Sequence, residues 1–216
     1  MNYSIDIKSE SQEIEMARAA GDNPKKIYLT DKLLCIVFVL VLGWVSADYV
    51  VIGTYLFLIP YLILTRRKIL FYNLMVSTAM ACLWVFIAKN EYRYNHNFLV
   101  VANLNLFPLF AWAVGLSAVF VIFSHYGKLW SGKRLVWQTL LFGAFYLPLL
   151  FGIETIGFHK FNIQRIDAVA YQGLPVLDCI HTPRWMQAAY LSMGPLFFLV
   201  CSVLKLTNPS KPHHSP

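Results

Sequence analysis

The sequence predicts an all-α fold: a polytopic integral membrane protein built as a six-helix transmembrane bundle. Three observations carry that expectation. Hydrophobic residues make up 58% of the chain and charged residues only 13%, about half the charged share of a soluble domain. The apolar residues fall in long runs rather than in alternating or amphipathic patterns. The basic residues collect in the short segments between alternate runs.

Residues 1–28 read as a polar tail, with Asp6, Glu10, Glu13 and Glu15 ahead of any apolar run. No cleavable signal peptide is expected, and the first helix would act as its own insertion signal. Residues 2–20 have the spacing of a short amphipathic helix, broken by Gly21, Asn23 and Pro24. Residues 29–206 form the transmembrane domain. Its first run, 33–64, is too long for one span and is interrupted once, at Asp48. A tight hairpin of helices 28–47 and 49–64 leaves that carboxylate in the turn, whereas a single long helix would bury it at roughly 2.5–3.5 kcal/mol. Arg66, Arg67 and Lys68 stop the second helix, and 69–88 is the third.

The fourth helix, 106–125, follows a polar, aromatic stretch from Glu91 to Asn97. It carries no Asp, Glu, Lys or Arg over 20 residues, about 30 Å, the thickness of a hydrocarbon core. Pro108 fits its first turn. Lys128, Lys133 and Arg134 make a basic loop before the fifth helix, 135–157. A long loop, 158–184, holds Pro175 and Pro183, and 185–206 is the sixth helix. Residues 207–216 read as a disordered tail in which His213 and His214 carry no specific role.

Six spans put both ends on one side. Of the 18 basic residues only Lys89, Arg93, Lys160, Arg165 and Arg184 fall on the other. The positive-inside rule then makes both termini cytoplasmic, in a multi-pass protein of the cell membrane. The net charge of +7 is an orientation signal of this kind and gives no ground for nucleic-acid binding. The four cysteines form neither a disulfide framework nor a CxxC metal site. Cys35, Cys82 and Cys201 lie inside apolar runs. Tyr28, Trp130, Trp137 and Trp185 lie near run ends, as in an aromatic belt.

The non-cytoplasmic rim is expected to collect Asp48, Glu91, Glu154, Asp167, Asp178, His96, His159 and His181, with Arg93, Tyr94 and Asn95. Of the histidines, only His125 and the two in the tail fall on the other side. Glu154 is the most informative. It lies near the outer end of the fifth helix on the face of Gly143, Tyr146, Leu147 and Leu150. An ionisable group within a span faces the bundle interior or a cavity. Apolar surroundings penalise its charged form, which suits a proton donor. A helix ending one turn earlier would instead leave it interfacial, paired with Lys160 or Arg165. His96, His159, His181 and Asp178 could converge on a metal, but no pair has HxxxH or HxxH spacing, so no metal site is assigned. Asn103 and Asn105 suit bonds to neighbouring helices, and the small residues Ala111, Gly115 and Ala118 suit close helix packing.

Residues 53–112, about 60 of 216, resemble the membrane-embedded lycopene cyclases of carotenoid synthesis, of the small heterodimeric bacterial and fused fungal type. The resemblance lies in Thr54-Tyr55-Leu56, Pro60, Arg66-Arg67-Lys68 with Phe71-Tyr72, and Trp84 with Ala88. It continues in Tyr92-x-Tyr94-Asn95, Phe98-Leu99-Val100 and Asn105-Leu106-Phe107-Pro108-Leu109. In that family the proline–leucine step leads into an acidic pair held to protonate the polyene. Here Phe110 and Ala111 occupy those positions, and neither can donate a proton. Glu154-x-x-Gly157 and Gly173-Leu174-Pro175 also resemble the related carotenoid hydratases.

The resemblance implies an enzyme that cyclises or isomerises a polyisoprenoid or carotenoid by acid, with no redox cofactor. Glu154 and Glu91 are then the candidate catalytic acids. Tyr94, Asn95, His96, Asn105, His159, Asp178 and His181 are the candidate substrate-binding residues. The alternative is a non-catalytic membrane protein: a lipid-binding module, an assembly partner or a small transporter, although no internal repeat of the transporter kind is present. The expected partners are membrane lipid or a polyisoprenoid, with a homo- or hetero-oligomer in the membrane left open. The enzyme reading requires Glu154 to face the interior near Glu91 or Asp178, beside an apolar cavity long enough for a lipid chain. The binding reading requires Glu154 to pair with a basic residue, with no such cavity.

Overall fold

The computed structural model describes residues 24–42, 44–130, 132–175 and 178–207. The readings of the polar tail before Pro24 and of the last nine residues lie outside them. Six long helices dominate: α1 Pro24–Val41, α2 Ala47–Leu64, α3 Lys68–Ile87, α4 Leu106–Ser124, α5 Leu135–Thr155 and α6 Arg184–Val203. Helices α2 to α6 are each long and apolar enough to cross a membrane. Helix α1 is as long as α2, but Lys25, Lys26, Asp31 and Lys32 confine its apolar part to the second half.

The long uncharged run forms the central helix. α4 packs on every other long helix, most extensively on α3. Ser77 of α3 and Ser117 of α4 share a 2.8 Å hydrogen bond, and the Ser77 hydroxyl reaches the Ala113 carbonyl at 2.9 Å. Small hydroxyl residues thus bring the two backbones together while satisfying their own polar atoms. Around α4 the core is aromatic: Phe120, Phe123, Phe142, Phe197 and Phe198 interlock with ring centroids 5.0–6.3 Å apart.

Four expectations need correction. Helix α1 starts at Pro24, not residue 28, and stops at Val41, not 47. Pro24 opens the helix instead of breaking it, because a first-turn residue needs no amide hydrogen. Asp48 is not in the turn of the hairpin. It sits in the first turn of α2, 2% exposed. Its carboxylate accepts from the Ser46 hydroxyl at 2.6 Å and the Leu99 amide at 3.0 Å. Those bonds, together with the helix N-terminus, replace the water it has lost.

Helix α5 does not end at Gly157. It continues as a wider π-turn over Ile156–Lys160, so Phe158 and His159 belong to the rod and the loop begins later. The fourth correction concerns Asn103. Val100–Val101 and Leu104–Asn105 form a two-stranded antiparallel ribbon, β1 and β2. Ala102 and Asn103 turn it with φ of 50° and 61°, as a type I′ hairpin demands. Asn103 is therefore exposed in a turn, and among the described residues it bonds no neighbouring helix. Asn105 is a helix cap: its side-chain oxygen accepts the Phe107 amide at 3.0 Å.

The two ends of the bundle are tied differently. At one end lies a buried ionic cluster. Asp31 of α1 takes both carboxylate oxygens to Arg67 at 2.8 and 2.9 Å, one to the Tyr61 hydroxyl at 2.7 Å, and one to the His125 Nε2 at 2.8 Å. Among the described residues of α1, Asp31 alone is buried. At the opposite end, residues 91–98 and 162–171 pair into a cap. Asn95 and Gln164 exchange backbone and side-chain bonds of 2.8–3.0 Å, and the Ile166 amide bonds the Arg93 carbonyl at 2.9 Å.

Candidate functional site

α1 and α5 both lie on α4 but make no extended contact with each other. The gap between them is a cavity of about 180 Å³ near the capped end. Phe38, Val39 and Leu42 of α1 form one wall, and Leu149, Leu150, Ile153 and Glu154 of α5 another. Ala111 and Gly115 of α4 form the floor, and Tyr94, Phe107, Phe158 and Phe161 close the capped side. A Cβ built on Gly115 would meet nothing within 4 Å. The small residues at 111 and 115 therefore leave space, where the sequence reading expected a helix to pack.

Glu154 faces this space. Among the described residues its carboxyl has no hydrogen-bond donor and no basic partner. Tyr94, Tyr146 and Tyr190 share the lining with it, as does Trp112. These aromatics are held firmly. The Tyr146 hydroxyl donates to the Tyr190 carbonyl at 2.6 Å. The Tyr92 oxygen accepts from the indole nitrogens of Trp84 and, at 3.0 Å, Trp112. The Tyr92 and Tyr190 hydroxyl oxygens lie 3.5 Å apart, and either can donate to the other. Burial pushes the Tyr92 hydroxyl up to about 12, against the pull of its Tyr190, Trp112 and Trp84 bonds and with a contribution from the Glu154 charge. Burial, then the nearby Tyr92 and Glu154, hold Tyr94 well above the ordinary tyrosine range. Both stay neutral phenols at neutral pH.

The remaining candidates gather at the same end but do not line the cavity. Glu91 accepts from Arg165 at 2.7 Å, and Asp167 binds the same guanidinium at 2.7 and 3.0 Å. Burial opposes the charge on Arg165, but the Asp167 and Glu91 bonds outweigh it, so its pKa lies above the usual value. Glu91 is thus a structural anion and does not line the cavity, a correction to its reading as an acid beside Glu154. Asn95 and His96 both bond the Asn162 carbonyl, at 2.8 and 3.0 Å. The His159 Nε2 bonds the Asp178 carbonyl at 3.0 Å, and the His181 Nε2 bonds the Asp178 carboxylate at 2.9 Å. Asn105, as the cap of α4, also stands outside the lining. Among the described residues no three His, Cys, Asp or Glu side chains gather as a metal-binding group.

Tyr190 and the α1 wall carried no signal in the sequence: an aromatic or apolar residue in an apolar run looks alike whether it fills a core or lines a void. Asp31 was passed over for a different reason. A charge beside lysines at a run's edge reads as interfacial, and its partners lie 36 and 94 positions away. Comparison with protein-family models, curated proteins and solved structures finds no match for this chain.

Proposed function

We propose that the chain is a six-span membrane enzyme that binds the end of a long polyisoprenoid in the α1–α4–α5 cavity and protonates it from Glu154. The observation that carries this reading is a carboxyl group with no partner, turned into an apolar, aromatic-lined space. The alternative, a non-catalytic lipid-binding or assembly protein, requires Glu154 to be neutralised by Lys160 or Arg165. Arg165 is instead committed to Glu91 and Asp167.

Six crossings are supported by the reach of α1. Its 18 residues extend about 27 Å. Asp31 joins Arg67 and His125 at one end of the bundle, and the link after Leu42 leads to Asp48 and Leu99 at the other. Both termini then share the end rich in lysine and arginine, which belongs in the cytoplasm of a cell-membrane protein.

The cavity is smaller than the 300 Å³ or more typical of sites that enclose a whole drug-sized ligand. A long polyene therefore inserts one terminus, and the rest of its chain stays in the lipid between α1 and α5. The lycopene-cyclase resemblance gains a geometric sense here. Ala111 stands where that family carries acid, and it lines the cavity that Glu154 enters from the adjacent helix. In the reaction, the Glu154 O–H proton adds to the terminal alkene and leaves a tertiary carbocation. A neighbouring double bond attacks it and closes the ring. The ring carbocation then loses a proton to the Glu154 carboxylate, which restores the acid and forms a new double bond. Atoms and charge balance with no redox cofactor. The faces of Tyr94, Tyr190 and Trp112 suit a cation, worth about 0.5–2 kcal/mol for each well-placed ring.

Expression in lycopene-making cells tests the reading. Wild type should convert lycopene to a cyclised or hydrated product, and Glu154→Gln should leave it unchanged. Unchanged lycopene with the wild-type chain would contradict the reading.

A further inference from the structure

Beyond the cavity, further polar groups gather near the end of α5, between Thr155 and the exposed Asp178. Thr155 follows Glu154 at the end of α5, and its hydroxyl lies against the thiol of Cys179. Cys179 is fully buried. Burial pushes its thiol up, the nearby Thr155 hydroxyl works against that, and the charges of Glu154 and Asp178 add to it. Asp178 is the outer member: its side chain is 71% exposed while that of His181, bonded to it, is 13% exposed.

Two features point to water. The first is unmet bonding capacity. His181 Nδ1, Thr182 Oγ1 and Thr155 Oγ1 are buried without a hydrogen-bond partner by geometry. Buried polar atoms in such a state are where internal water binds or a proton passes. All three belong to the end of α5 or to the segment that the Leu174–Cys179 bridge folds beneath it. The second is the orientation of the imidazole. The His181 Nε2 is taken up by the Asp178 carboxylate, which leaves Nδ1 as the ring nitrogen open to water. The ring is fixed in this pose. It stacks on Phe158, itself a cavity-lining residue, at 4.3 Å and 16°. Its other face lies so close to Gly173 that an added Cβ would fall 2.7 Å from Nε2.

We propose that Asp178, His181, Cys179 and Thr155 form a proton and water inlet between solvent at the capped end and Glu154. The inlet rests on the reading of Glu154 as an acid and extends it. When a turnover ends in capture of water, the water oxygen bonds to the cation and one of its protons returns to the Glu154 carboxylate, so an apolar cavity of this kind needs a route by which water enters. His159, bonded to the Asp178 carbonyl, is the other titratable group packed against this path.

The test is infrared difference spectroscopy on the purified full-length protein in lipid nanodiscs, with Glu154→Gln subtracted to isolate the Glu154 carboxyl band. On transfer to D2O the wild-type band should shift promptly. Thr155→Val, which keeps side-chain shape, and His181→Gln should each slow the exchange at least tenfold, with thermal unfolding of Thr155→Val unchanged. Exchange at the wild-type rate in both variants, or no exchange in the wild type, overturns the inlet. If no protonated Glu154 band is found, the acid reading itself fails, and the inlet with it.

Discussion

The carboxyl group of Glu154 on α5 and the methyl group of Ala111 on α4 line one and the same cavity. Two adjacent helices therefore offer a position from which a proton could be delivered to that space, and this chain carries its acid on α5. The consequence can be measured in either direction. Glu154→Gln should lower polyene conversion by about 10²–10⁴-fold, the usual share of a general acid. Glu154→Met, which removes an unpartnered polar group from an apolar wall, should raise stability by about 1 kcal/mol while abolishing conversion. Unfolding in detergent, read beside pigment conversion, checks both.

Gly115 and Gly194 make a contrasting pair. Gly115→Ala should be tolerated, since the new methyl group meets open space. Gly115→Phe should fill the cavity and block conversion with little effect on folding. Gly194→Ala would drive a methyl group into the Tyr146 ring. It should cost about 1–3 kcal/mol through overpacking and disturb the Tyr146–Tyr190 bond. Thermal unfolding of the three variants distinguishes a floor that leaves room from one that is already filled.

The cap depends on Arg165. It is 7% exposed and reaches two carboxylates. Arg165→Ala should destabilise by about 1–3 kcal/mol, below the figure for a fully buried pair because Glu91 and Asp167 are partly solvated. Arg165→Lys should recover little, for a single ammonium cannot span both anions as the planar fork does. Limited proteolysis after residue 160 reads the loosening directly.

At the other end, Asp31 is the buried anchor of α1. Asp31→Ala strips Arg67 and His125 of their common carboxylate and should cost about 3–5 kcal/mol. A cysteine pair joining α1 to α4 near the cavity should then cross-link more slowly than in the parent. An unchanged cross-linking rate would mean that α1 is held by something else.

The helices were legible because bilayer thickness and charge placement leave strong marks. The uncharged run starting at Leu106 and the basic stops at Arg66–Lys68 mark α4 and the end of α2 to within a residue or two. The inward position of Glu154 was legible too, as an ionisable residue inside a span. What escaped depends on distant neighbours. Ala111 and Gly115 have the pattern of a packing face, and only the separation of α1 from α5 turns that face into a floor. Asp48 looked like a turn residue because hydropathy charges it the full cost of burial, whereas the Leu99 amide, 51 positions on, offsets that cost. Glu91 looked available because its partner, Arg165, lies 74 positions away.

The most direct test follows the proton. Lycopene-making membranes containing the chain, incubated in D2O, should yield a product with deuterium added at each end acted upon, seen by mass spectrometry. Glu154→Gln membranes should yield none. Equal conversion, or equal labelling, with Glu154→Gln would contradict the assignment of Glu154 as the proton donor.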